Sequence, residues 1–351
     1  MDMPTGHKPD SSPRRRLVLF GLLFVAFTAA GVWAVFEQFA GRSVAFDRRL
    51  LAPPVLAAAG ALLALYFLAD GLRLHYTLRA LGHRIPAAAM GRLVFVNIFF
   101  SNVTPMATGG GIAQVWFLRE HGVPVGRATA ATTLRTVLAT AVIFVATPLF
   151  LVFGASTDGH ALLGRIAPVL AVLVTLYVLF FAVVVLRTRW LIAPLGGSLA
   201  GLRRVGLVGA RRHRRMQFAL RREVLRFARS FGAYLSGPPH LIALSVASTL
   251  LFLGCLFSFP ALLVGGLGHD TAWLTTSGLA LVTTFAMYFA PTPGAAGISE
   301  GVFGAFFTDI LGPEQLVLVT LAWRFLTIHL GMLIGLVLLG RRLAVTARTQ
   351  P

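Results

Sequence analysis

Apolar runs, most of them of roughly the length that crosses a bilayer, recur along the chain, and polar residues gather between them. They fall at 17–36, 52–69, 91–103, 128–153, 161–186, 240–264, 272–290 and 316–339, which predicts about eight transmembrane helices. Two further stretches, 111–121 and 298–311, are too short to cross about 30 Å of hydrocarbon at 1.5 Å per residue. Each follows a break in an apolar pattern: Asn102-Val103-Thr104-Pro105-Met106-Ala107-Thr108-Gly109-Gly110-Gly111 in the first half, and Pro291-Thr292-Pro293-Gly294-Ala295-Ala296-Gly297 in the second. Proline removes a backbone donor and clashes with the preceding turn, while glycine admits positive φ, so the chain can reverse within a few residues. Backbone groups freed by such a reversal cannot face lipid; they are buried in protein or line a wet cavity. Either break alone also reads as a packed Pro/Gly kink, but the pair predicts two hairpins in comparable places in the two halves.

Composition agrees with an all-α polytopic integral membrane protein: 57% of residues are hydrophobic and 12% charged. The net charge of +19 raises nucleic acid as a partner, yet the basic residues sit between the apolar runs, as in cytoplasmic loops, and no nucleic-acid partner is expected. A single cysteine, Cys255, excludes an intrachain disulfide and a cysteine-based metal cluster. The motifs H-E-x-x-H, C-x-x-C and the P-loop do not occur, and Gly109-Gly110-Gly111 does not follow a strand, so no cofactor, metal or enzymatic activity is expected. Run 17–36 follows Arg14-Arg15-Arg16 and has a small-residue pair at Ala29-Ala30; its length favours a retained anchor over a secretory signal.

Basic residues set the orientation. With the N-terminus in the cytoplasm, the inner segments carry Lys8, Arg14 to Arg16, Arg73, Arg79, Arg84, Arg92, Arg119, Arg127, the arginines of 187–229, and Arg341, Arg342 and Arg348. The outer segments carry chiefly Arg42, Arg48 and Arg49, with Arg165 near an outer helix end. Both termini, 1–16 and 343–351, then lie in the cytoplasm, on either side of a membrane domain at 17–342. In this orientation the first hairpin enters from the cytoplasm and the second from outside, and each is followed by a helix bearing one arginine, Arg135 or Arg324, at nearly equal spacing. That is the pattern of an inverted repeat with a site near the bilayer midplane.

An unpaired charge at the centre of a membrane helix costs about 2.5–3.5 kcal/mol on insertion scales, so Arg135 and Arg324 each need a partner or water. Glu300 is the foremost acidic candidate. In one reading the arginines bind an anionic head group while Glu300 pairs with an arginine or a cationic moiety; in the other, Glu300 and Arg324 form an ion pair that locks the hairpin. Asn97, Asn102 and Gln114 are expected to satisfy freed backbone groups, or to contact a ligand. His329 is expected to be packed or snorkelling rather than a proton relay. The loop 187–239 contains an amphipathic pattern over 218–235, with Arg221, Arg222, Arg226 and Arg229 opposite an apolar face. It predicts a helix on the anionic membrane surface that either enforces topology or gathers anionic lipid.

Ser101-Asn102-Val103-Thr104-Pro105, Gly109-Gly110 and Gln114, with Pro291-Thr292-Pro293-Gly294, Gly297, Glu300-Gly301 and Trp323-Arg324-Phe325-Leu326-Thr327, resemble the lysylphosphatidylglycerol synthase transmembrane region, the flippase-like family. The resemblance runs from about residue 17 to 342. It implies re-entrant hairpins and, by analogy with the family's better-known members, movement of aminoacylated phosphatidylglycerol between leaflets. On this resemblance Asn102, Pro105, Gly109, Gly110 and Gln114 match the first break, and Pro293, Gly294, Gly297, Glu300 and Arg324 the second. Ala295 stands where a second glycine is usual, and Ile112 where a proline often follows. The soluble synthase domain of bifunctional relatives is not expected here, nor synthesis of the lysyl-lipid. The expected partners are membrane lipids, either an anionic phospholipid or a lipid-linked phosphate, with a second copy or a separate lipid synthase as further possibilities. The resulting expectation is a multi-pass flippase of the cell inner membrane; the alternative is a membrane enzyme or an accessory subunit that binds lipid without moving it.

Overall fold

The computed structural model describes residues 47–104, 107–153, 231–290 and 292–348, with a few isolated positions elsewhere. The expected helices 17–36 and 161–186, the prolines Pro105 and Pro291, and Arg221 and Arg226 of the amphipathic segment lie outside the described residues. Of that segment, Arg222 and Arg229 are helical and exposed.

The described residues are helical, without a strand: α1 (Pro53–Ala80), α2 (Ala87–Val103), α3 (Thr108–Glu120), α4 (Val125–Phe153), α5 (Pro239–Gly266), α6 (Trp273–Met287), α7 (Ile298–Phe307), α8 (Pro313–Arg324) and α9 (Leu330–Arg348). A π-helical turn, Phe325–His329, joins α8 to α9. Among the described residues, four helices are long and apolar enough to span a membrane: Pro53–Ala80, Val125–Phe153, Pro239–Gly266 and Pro313–Arg341. The chain is an all-α polytopic membrane protein.

Hydroxyl residues fit these apolar helices because they bond back to the preceding turn. Thr77 donates to the Arg73 carbonyl, Thr147 to Ile143, Thr249 to Ser245, and Thr283 to Leu279. Each hydroxyl is thereby satisfied without a partner from another helix.

α1 and α5 pack antiparallel, and the core divides around them. At one end Leu50 and Tyr66 cluster with Phe259, Val264 and Leu267 of α5's later turns, and with Phe303 and Phe307 of α7. At the other, Leu74, Leu78 and Leu81 cluster with Leu241 at the start of α5, and with Met90, Leu93, Phe117 and Leu118 of α2 and α3. The two helix–break–helix units therefore sit at opposite ends of the α1–α5 pair.

The boundaries differ from expectation chiefly at α1. The apolar run ends at residue 69, before the first charge, but the helix continues to Ala80 and takes Asp70 and Arg73 into its buried face. Arg73 is thus not a loop cation that sets topology; it is 7% exposed inside the helix packing. No proline or glycine pair stops the helix at that point, and a charge with a partner is no helix breaker.

Candidate functional site

In the first unit α2 and α3 fold back on each other around Thr104. Its hydroxyl donates to the Phe100 carbonyl (2.7 Å) and accepts from the Gly109 amide (2.8 Å), which satisfies one of the open donors at the start of α3. The close approach requires glycine: a Cβ on Gly109 would lie 2.9 Å from the Phe100 carbonyl, and one on Gly110 would overlap Ser101 Oγ. Asn102 Nδ2 donates to the Ile98 carbonyl at 2.8 Å, the backbone role expected of it, whereas Asn97 accepts from Ser101 at 3.3 Å. Gln114 is buried on α3, and Ile112 is exposed.

Ala107, the N-cap of α3, adopts a left-handed conformation (φ 54°, ψ 21°). It is exposed, so its methyl group contributes little burial to offset a strain of about 1–2 kcal/mol. Ala107→Gly is expected to stabilise the fold by about 0.5–1 kcal/mol, less than the relieved strain because glycine loses more backbone freedom on folding. An unchanged or lower melting temperature in detergent would contradict this.

In the second unit the break holds Gly294, Ala295 and Gly297 at positive φ. Ala295, at the position noted above, takes the left-handed conformation itself. Glu300 lies one turn into α7 and reaches back: its Oε2 accepts from the Gly297 amide at 2.7 Å and from Ser299 Oγ at 2.8 Å. Its Oε1 is 2.9 Å from Arg324 Nε, an ion contact rather than an aligned hydrogen bond, and Arg324 Nη2 donates to the Gly294 carbonyl at 2.6 Å. Both side chains are buried, Glu300 to 2% and Arg324 to 5% exposure. Trp323 stacks on Phe303 next to the pair, with centroids 4.8 Å apart. His329 lies partly buried in the π turn.

The two breaks meet. α2 packs on Pro293–Ala295, and a Cβ on Gly294 would lie 3.3 Å from Asn102 Oδ1 and 3.7 Å from Arg324 Nη2. Asn102, Gly294, Glu300 and Arg324 thus form one polar junction, with the Glu300–Arg324 pair buried and Asn102 and Gly294 partly buried.

Arg135 does not join the Glu300 pair. On α4, it donates through Nη2 to Asp70 Oδ1 of α1, and Arg73 Nε lies 3.1 Å from the same oxygen. The Arg73 guanidinium also rests over the Phe252 ring of α5, 4.0 Å from its centroid. Sequence reasoning missed Asp70 and Arg73. The signal was present: Tyr66, Asp70 and Arg73 stand at i, i+4 and i+7, on one face of a helix.

Among the described residues no group of three His, Cys, Asp or Glu side chains comes together.

Comparison with known proteins agrees with this architecture. The chain is 23% identical to a UPF0104 membrane protein of Archaeoglobus fulgidus over 270 residues, which cover 77% of this chain and 81% of that protein. The model of the lysylphosphatidylglycerol synthase TM region matches residues 18–335, and the chain belongs to that family.

Proposed function

We propose that the chain moves a lipid with an anionic or aminoacylated head group between leaflets, either a phospholipid or a polyprenyl-phosphate-linked lipid, and carries out no covalent chemistry. The observation that carries this reading is the junction of the two breaks: units packed at opposite ends of α1 and α5 meet at Asn102 and Gly294, beside the buried Glu300–Arg324 pair. Two re-entrant hairpins entering from opposite leaflets produce that arrangement, and family membership supports it. The excess of arginine in one set of loops supports a cell-membrane protein with both termini in the cytoplasm. Head groups pass through the polar junction while acyl chains remain in lipid. Without a nucleotide motif, the movement is scrambling or is coupled to an ion gradient.

The test is a leaflet-resolved assay in proteoliposomes containing labelled phosphatidylglycerol, its lysyl ester or a polyprenyl phosphate. Wild-type protein is expected to redistribute at least one of them faster than empty vesicles do. The Glu300→Leu/Arg324→Met double variant, which removes the junction charges without stranding either, is expected to lose this. An unchanged distribution with every lipid overturns transport, and the chain is then a lipid-binding accessory of a separate synthase.

A further inference from the structure

We propose that the cluster of Asp70, Arg73 and Arg135 is a seat for a singly charged phosphate group, with Arg73 as the residue that holds it. The proposal deepens the transport reading and rests on it for the route by which the group arrives, but not for binding itself.

Charge is the first argument. Two guanidiniums bear on one oxygen of a single carboxylate, so among the described residues the cluster keeps one surplus positive charge. All three side chains are buried, at 3%, 7% and 5% exposure for Asp70, Arg73 and Arg135. The Glu300–Arg324 pair differs in this respect, since its charges match one to one. Buried charges in membrane proteins are paired or lie on a substrate path, and a phosphodiester supplies the single negative charge that this cluster lacks.

Hydrogen-bond capacity is the second. Arg73 Nη1 and Arg135 Nε have no hydrogen-bond partner among the described residues, and Arg73 Nε makes only the ionic contact with Asp70. Arg324 Nη1 is open in the same way, but within a neutral pair. Phe252 occupies one side of the Arg73 guanidinium, and the N–H groups without a partner are what it offers a ligand. Edge-on donation from a planar fork is how arginine recognises phosphate oxygens.

Position is the third. Phe252 stands at the middle of α5, a helix of 28 residues and about 42 Å. Tyr66, one turn before Asp70, stacks on the same Phe252 ring with centroids 4.9 Å apart, and it belongs to the apolar cluster that also holds Phe303 and Trp323. The seat therefore lies midway between the two core clusters, at the depth where a head group in transit is farthest from water.

The experiment measures binding to the full chain in detergent. Dihexanoyl phosphatidylglycerol is titrated against dihexanoylglycerol, which has the same chains and no phosphate, with inorganic phosphate as competitor. Wild-type protein is expected to prefer the phosphatidylglycerol by about tenfold or more, the factor carried by one charge-assisted hydrogen bond. Arg73→Gln is expected to abolish the preference. Melting temperature in the same detergent reports folding; if Arg73→Gln does not fold, Arg73→Lys decides, since it keeps the charge beside Asp70 but loses the planar fork, and is expected to bind several-fold more weakly. Wild-type protein without a preference, or a folded Arg73 variant with wild-type affinity, overturns the proposal. Competition by phosphate assigns the seat to the phosphate group from either source; its absence, with the preference intact, assigns it to the lipid head group. Binding without redistribution in vesicles upholds the seat and overturns transport, whereas redistribution with an indifferent Arg73 does the reverse.

Discussion

Glu300→Ala is expected to destabilise the folded protein by about 3–5 kcal/mol, and Arg324→Ala by a comparable amount, because each strands a buried charge. Glu300 makes three contacts, with the Gly297 amide, Ser299 Oγ and Arg324 Nε, and Arg324 adds the Gly294 carbonyl. These contacts tie the break to two helices, and both side chains are buried, so the partner left behind stays enclosed. The double variant Glu300→Leu/Arg324→Met removes both charges and is expected to be markedly more stable than the sum of the single variants. A buried ion pair often contributes little net stability against an apolar pair of similar volume. Thermal and denaturant unfolding in one detergent measures the cycle. Single variants that melt with the wild type would show that the pair is not structural.

The second large effect is expected at Gly335. α9 crosses α2 through Gly331 and Gly335, a small-xxx-small pair: a Cβ on Gly331 would lie 3.0 Å from Ile98 Cγ2, and one on Gly335 would overlap the Phe95 carbonyl. Backbone cannot rotate aside as a side chain can. Gly335→Val is expected to push the helices apart at a cost of about 1–3 kcal/mol or more, with Gly335→Ala intermediate. Gly340 on the same helix has open space around its Cβ position, so Gly340→Ala is the control expected to change little. Equal melting temperatures for Gly335→Val and Gly340→Ala would contradict this packing.

The positions of most helices and of both breaks were legible because hydropathy and Pro/Gly placement act over a few residues. The Glu300–Arg324 pair was legible for another reason: with so few acidic residues near apolar runs, an arginine there has few possible partners. The partner of Arg135 was not, because it lies 65 residues away, in a helix whose apolar run stops just short of it. Reading α1 by face rather than by run would have kept Asp70 and Arg73 with Tyr66, since alternation around a helix survives a charge that interrupts a hydropathy window. Left-handed Ala107 and Ala295 were also not legible as such. Alanine in that conformation is held by its surroundings rather than by its own preference.

The contact between Asn102 and Gly294 bears on leakage. A carrier that admits head groups must hold back protons and ions between turnovers. Gly294 has no side chain to hold the two breaks apart, so Asn102 packs close against it. The same missing side chain that lets the chain turn thus also brings the two breaks into close contact.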